Sequence, residues 1–226
     1  MNDDLHAPLA NGFEPHSEKP KLRGVLHQWA ALVAFVAGVA LVCITAEIRR
    51  SVAAAVYSLS LLTLFTVSAT YHRINWGPKA RLRMRRLDHA AIFVLIAGTY
   101  TPIALIALGP GDGTRLCTLA WACAAVGIVK SIFWSGSPKW VTAAVAVVAG
   151  WCIVPFLSAV GRALDLTQLF LIFGGGAFYT LGALAYASKR PNPVVGVFGY
   201  HEVFHACTVV AAAMHFTAVA TIVRGA

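Results

Sequence analysis

Two histidines four residues apart, His201 and His205, lie at the start of the last apolar segment of this chain. On a helix, side chains at positions i and i+4 share one face, with Cβ atoms roughly 5–6 Å apart. Imidazole nitrogen is a preferred ligand of Zn²⁺, whereas an unpaired ionisable side chain in an apolar segment is costly. The spacing therefore indicates a shared metal ion, and other residues must complete its site.

The elements that position these histidines are membrane-spanning helices. Of 226 residues, 58% are hydrophobic and 12% are charged, against about 25% charged in soluble domains. Seven apolar stretches, each about 20 residues or longer, match the length needed to cross roughly 30 Å of hydrocarbon. They lie near 25–46, 51–72, 88–108, 115–134, 140–160, 167–187 and 200–223. No segment alternates like a barrel strand, so we predict an all-α bundle of seven transmembrane helices over residues 23–226, after a disordered cytoplasmic tail at 1–22.

The basic residues predict how this bundle sits in the membrane. Thirteen of the 18 Lys and Arg residues fall in the N-terminus and the second, fourth and sixth loops, which share one side. The positive-inside rule then places the N-terminus in the cytoplasm and the C-terminus outside. We interpret the densest cluster, Arg73 to Arg86, as a topology determinant that contacts anionic lipids, and not as a nucleic-acid surface. The five cysteines form no CxxC pair and read as small buried apolar residues.

Alternating spans bring polar side chains from three helices to one level, just inside the predicted cytoplasmic boundary. Span two ends there with Ser68 and His72, span three starts there with Asp88, and span seven starts there with the histidine pair. His72, His201 and His205 then supply three ligands, as in catalytic zinc sites that keep a fourth position for water. Asp88 could hydrogen-bond the metal-bound water and accept its proton. Ser68 could bind the same water or a substrate oxygen.

Each of these residues also has a plainer interpretation. His72 and His201 could be interfacial histidines, and Asp88 could cap span three, where a carboxylate suits the positive end of the helix dipole. His205 lies one turn deeper, where an unpaired imidazole is costly. The shared depth of all four residues favours the metal site.

Glu202 completes the string His-Glu-x-x-His, which in zincins includes a glutamate that acts as general base. Because Glu202 lies about 100° around the helix from His201, we expect it to point away from the metal. We interpret it as a surface carboxylate in the first turn of its helix.

The remaining histidines and the helix breakers have structural interpretations. We expect supporting or interfacial roles for His27 and His89, and a buried contact between helices for His215, about 21 Å deeper than His201. Pro102 predicts an interruption near the middle of span three, since proline removes a backbone hydrogen bond. His6 and His16 belong to the tail. Four glycines of span six favour close packing of that helix against its neighbours: Gly174, Gly175, Gly176 and Gly182.

Three motifs together resemble the hemolysin III family, the bacterial relatives of the adiponectin and progestin receptors. They are Ser68-Ala-Thr-Tyr-His72, the run from Leu87 to Pro102, and His201-Glu-Val-Phe-His205 with Met214-His-Phe216. Gly24-Val-Leu-His27 also fits, and the resemblance extends over the chain after about residue 22.

The resemblance implies a seven-helix protein of the bacterial inner membrane with Zn²⁺ near its cytoplasmic face. The family's zinc histidines fall on His72, His201 and His205, its aspartate on Asp88 and its serine on Ser68. Animal receptors of the family have glutamine where Glu202 stands, which argues against an obligatory glutamate base.

The leading hypothesis is a zinc-dependent hydrolase of a lipid amide or ester, since the wider superfamily includes alkaline ceramidases. Receptor or membrane-homeostasis proteins with structural zinc, pore-forming hemolysins and bis-histidine haem proteins are alternatives, so enzymatic activity stays open at this point. We expect a membrane lipid or fatty-acyl substrate, no nucleic acid and no haem. We also expect no retinal, because span seven has no lysine for a Schiff base.

Overall fold

The computed structural model describes residues 20–225, which fold into an all-helical bundle of seven membrane spans. The α-helices are α1 (Val25–Cys43), α2 (Ile48–Arg73), α3 (Pro78–Pro102), α4 (Asp112–Phe133), α5 (Lys139–Gly150), α6 (Leu157–Ala163), α7 (Leu166–Ser188) and α8 (Tyr200–Arg224). A short 3₁₀ turn joins α5 to α6 within the fifth span. The predicted seven-helix architecture is confirmed, while most of the predicted tail, including His6 and His16, lies outside the described residues.

The third helix begins earlier than hydropathy predicts, at Pro78 and not near residue 88. Lys, Arg, Leu and Met fill its first turns, and all four are good helix formers. Proline is also favoured at the first helical position, where its missing N–H leaves no hydrogen bond unmade. The apolar stretch ends where the charges begin, but the helical backbone continues through them. Charged turns of α3 therefore extend beyond the apolar layer.

The interruption predicted at Pro102 is a change of helix type. The chain leaves α3 at Pro102 and forms π-helical turns over Ile103–Leu108, which end at Gly109 with a φ of 66°. Because α3 starts at Pro78, this interruption lies towards the end of the third span and not at its middle. Ile103 and Ala104 remain buried in the core at this point.

Close packing of α7 on α8 depends on glycine, as the sequence predicts. A Cβ at Gly182 would lie 3.0 Å from the Cβ of Cys207, and one at Gly175 would collide with the ring of His215. The imidazole of His215 forms a hydrogen bond to the carbonyl oxygen of Ile172 on α7, 2.9 Å from Nε2. The predicted buried contact between helices is thus confirmed. All five cysteines are free, but only Cys152 among them is buried and Cys43 is exposed, so the expectation that all five are buried is wrong.

Candidate metal centre

Three imidazoles converge at one end of the bundle, which we call the histidine end. His72 comes from the last turn of α2, and His201 and His205 come from the first two turns of α8. Their ligand nitrogens all lie within 4.8 Å of one another. The Nε2 atoms of His72 and His201 are 3.1 Å apart, close to the ~3.3 Å between two nitrogens that each lie 2.0–2.1 Å from a tetrahedral zinc. The donor set and its spacing therefore fit a metal ion.

Asp88 lies beside this cluster, with Oδ2 3.9 Å from Nε2 of His72. It cannot cap its helix, because α3 begins at Pro78, about three turns earlier. The plainer interpretation of Asp88 is therefore wrong. Ser68, only 2% exposed, lies one turn before His72 and lines the same cavity as Asp88. The structure thus brings together all five residues that the sequence proposed for the site.

Glu202 is buried and not a surface carboxylate, so that expectation is wrong. Only 1% of it is exposed, and one oxygen, Oε2, accepts a hydrogen bond from the backbone N–H of Gly199, at 2.9 Å. The other oxygen, Oε1, pairs with Nε of Arg23 at 2.6 Å. Sequence reasoning missed this because Arg23 lies 179 positions away along the chain. Both carboxylate oxygens are occupied outside the histidine cluster, as the helical angle predicted.

Two short segments cover the histidine end, residues 20–24 and the loop 194–198. The backbone N–H groups of Lys21 and Leu22 donate to the carbonyl oxygens of Gly196 and Val197, at 3.1 and 3.3 Å. Gly24 then turns the chain into α1 with a φ of 78°, and a Cβ there would lie 2.7 Å from the Cβ of His72. Glycine is required at this position for two reasons: L side chains rarely adopt this φ, and a Cβ would collide with His72. We call the two segments the cap.

His27 contacts the cluster more closely than its sequence context suggested. Its ring lies parallel to that of His205, with 3.7 Å between centroids and 4° between planes. Phe65 packs edge-on against His27 at 5.0 Å, and His27 is 2% exposed. His27 is not among the three residues whose nitrogens converge. It packs against the ring of one of them, His205. The other uncertain histidine, His89, is buried and lines the adjoining cavity.

A cavity of about 140 Å³ extends from the histidine end into the bundle. Ser68, Asp88, His201 and His205 lie at one end of it, and His215 lines it deeper along α8. Most of its wall is apolar and comes from α3, α5, α7 and α8: Ile92, Leu95, Ile96, Ala146, Val147, Ile172, Phe173 and Phe204. The arrangement places polar groups at one end of a mostly hydrophobic space.

The sequence profile described as "Haemolysin-III related" matches residues 16–216, a stretch that contains every residue of the cluster. The chain belongs to this family. Hemolysin-3 of Bacillus cereus is 32% identical over 139 residues, which are 62% of this chain and 63% of that protein. The Hemolysin-3 homolog of Bacillus subtilis (strain 168) is 33% identical over 135 residues, 60% and 63% of the two chains. The match thus covers slightly less than two-thirds of the length of either bacterial relative.

The haemolysin-III-related chain also has a relative that it matches over nearly its whole length. The human Monocyte to macrophage differentiation factor is 24% identical over 221 residues, 95% of this chain and 89% of that protein. This relationship connects the protein to the progestin and adipoQ receptor family. Together with the seven apolar helices, it establishes a multi-pass membrane protein of the haemolysin-III-related family.

Proposed function

We propose that this haemolysin-III-related protein is a zinc-dependent hydrolase that cleaves an amide or ester bond of a membrane lipid. The observation that carries the proposal is the position of Asp88, whose carboxylate lies 3.9 Å from Nε2 of His72 and lines the cavity with His201 and His205. A carboxylate, three imidazoles and an apolar space therefore meet at one point.

His72, His201 and His205 would hold the ion. Three neutral imidazoles suit Zn²⁺ among the common biological metals, since calcium and magnesium prefer oxygen ligands. When bound, zinc supplies Lewis acidity, which polarises a carbonyl and makes water more acidic.

The remaining steps belong to side chains of the protein. Asp88 accepts the proton of the attacking water and returns it to the leaving nitrogen or oxygen, because it is the carboxylate that lines the cavity. The hydroxyl of Ser68 donates a hydrogen bond to the substrate oxygen. Glu202 does not act as base, since Gly199 and Arg23 occupy both of its oxygens. The apolar wall holds the acyl chain and excludes water from it.

The distribution of basic residues supports a location of this chemistry in one leaflet. Basic residues concentrate at the histidine end, including Arg73, Arg85, Lys130 and Lys139. By the positive-inside rule this end faces the cytoplasm, in the inner membrane of a bacterium. Lipids of the cytoplasmic leaflet are then the substrates.

The test compares the purified wild type with Asp88→Ala and Asp88→Asn on a panel of ceramides and acyl esters. We expect fatty-acid release by the wild type, a loss of roughly 100-fold or more in both variants, and unchanged zinc content. Hydrolysis at the wild-type rate by Asp88→Ala would refute the assignment.

A structural role for the metal is the second candidate, favoured by the fact that the cluster joins α2 to α8. A metal that joins two helices stabilises the folded bundle whether or not it does chemistry. In that case chelation lowers the unfolding temperature, and no lipid on the panel yields a product.

A further inference from the structure

We propose that three basic side chains at the histidine end bind the phosphate group of a lipid whose acyl chain occupies the cavity. They are Arg85 of α3, Lys130 of α4 and Lys139 of α5, which we call the basic rim. The proposal rests on the proposed function in one respect: it makes a phosphate-bearing lipid the substrate class. The binding itself can be measured without turnover.

Lys139 lies against the cavity wall at the first turn of α5. Its Nζ is 4.9 Å from the ring centroid of Tyr200 and 5.6 Å from that of Tyr186. It also donates a hydrogen bond to the hydroxyl of Tyr200, and Tyr186 lines the cavity. An ammonium group has three donors, and these contacts leave its positive charge without an anion.

Lys130 of α4 contacts the wall of the same cavity. Its ammonium group donates a hydrogen bond to the hydroxyl of Thr142, a buried residue of the cavity wall. Arg85 lies one helical turn before His89 on the same face of α3, and His89 also lines the cavity. Both cations therefore lie next to residues of the cavity wall, where a nearby anion interacts favourably with them.

No carboxylate among residues 20–225 forms an ion pair with the basic rim, and the acidic side chain nearest to it along α3 is Asp88, three residues from Arg85. Within residues 20–225, the ion pairs closer than 4.0 Å join Arg23 to Glu202, Arg50 to Glu47, His72 to Asp88, and Arg115 to Asp112. None includes a rim residue, although all three rim side chains are half-buried. These half-buried cations are therefore available to an external anion, and phosphate suits both guanidinium and ammonium groups.

The level of the basic rim in the membrane favours a lipid phosphate over a free anion as its ligand. Trp134 follows α4 and Trp140 lies in the first turn of α5, so both flank the turn between Lys130 and Lys139. Both indoles are more than half exposed, at 56% and 62%. Exposed tryptophans at helix ends mark the level of the lipid head groups. The rim therefore lies where lipid phosphates lie, next to a cavity of the right character for their acyl chains.

The chain offers a matched control for removing two of these charges. Arg85→Gln with Lys130→Met removes one arginine and one lysine from the rim. Arg83→Gln with Lys79→Met removes the same two residue types from exposed positions on α3. Both double variants change the net charge by the same amount, so a general attraction to anionic lipid affects them alike.

The experiment measures the unfolding temperature and native mass spectra of the full chain in neutral detergent. The added probes are phosphatidylglycerol, diacylglycerol with the same acyl chains, and inorganic phosphate. We expect phosphatidylglycerol to bind and stabilise the wild type and the control variant. The rim variant should bind phosphatidylglycerol with an affinity reduced by roughly tenfold or more. Diacylglycerol and inorganic phosphate should give little stabilisation on their own.

Three results would overturn the proposal. If the control variant loses as much binding as the rim variant, the attraction is a general one to the charged surface. If inorganic phosphate stabilises the wild type as much as phosphatidylglycerol does, the site binds free anions. If diacylglycerol does so, the rim contributes nothing to binding. Zinc content and hydrolysis, measured on the same samples, separate the two proposals. Rim-dependent binding of phosphatidylglycerol without turnover would support the rim proposal and refute the hydrolase. Turnover without rim-dependent binding would support the hydrolase and refute the rim proposal.

Discussion

The rings of His27 and His205 are stacked face to face, 3.7 Å between centroids and 4° from parallel. Both residues are almost fully buried, at 2% exposure each. With Phe65 edge-on against His27, the ring of His205 has a flat aromatic neighbour that limits its rotation. We infer that His27 would hold His205 in place as a candidate metal ligand, without binding the metal itself.

Replacing His27 tests whether stacking positions His205. We expect His27→Ala to weaken metal binding roughly 10–100-fold, the range seen when supporting residues of metal sites are removed. His27→Phe keeps a flat ring and should stay within a few-fold of the wild type. Chelator competition measures the affinity, and the visible spectrum of the Co²⁺ form reports ligand geometry. Equal losses in both variants would show that an imidazole nitrogen, and not the flat ring, is what His27 contributes.

Gly24 should tolerate no side chain. Gly24→Ala places a Cβ 2.7 Å from the Cβ of His72 at a φ of 78°, so we expect a loss of about 1–3 kcal/mol in stability and reduced metal content. Gly77→Ala is the control, because it has a φ of −64° and no atom within 4 Å of the new Cβ. Thermal unfolding and metal analysis compare the two. Similar behaviour of both variants would mean that the cap does not support His72.

Glu202 should matter for stability and not as a base. Glu202→Ala leaves Arg23 and the N–H of Gly199 without their partner, and we expect it to cost about 1–3 kcal/mol. Glu202→Gln keeps an acceptor for Gly199 and should hydrolyse lipid within a few-fold of the wild-type rate. A thousand-fold slower Glu202→Gln enzyme that still holds its zinc would instead identify Glu202 as the base.

Much of this architecture follows from local pattern. Seven apolar stretches give seven spans, and alternating direction puts His72, Asp88 and the α8 histidines at one level. These inferences succeed because span length and direction are set by the bilayer, independently of detailed packing.

The features that were missed depend on contacts between distant segments. Glu202 is buried where it pairs with Arg23 of the cap, and His27 of α1 stacks on His205 of α8. Hydropathy also misplaced the start of α3, since charged residues end an apolar stretch without ending a helix. The cap and the stack therefore required the three-dimensional structure.

Metal analysis of the purified chain tests the central claim most directly. The variants are His72→Ala, His201→Ala and His205→Ala, with His89→Ala as control, since His89 is a buried histidine of the same cavity outside the cluster. We predict about one zinc per chain in the wild type and in His89→Ala, and loss of most zinc in each of the other three. A wild type without zinc, or cluster variants that keep it at the wild-type level, would contradict the account.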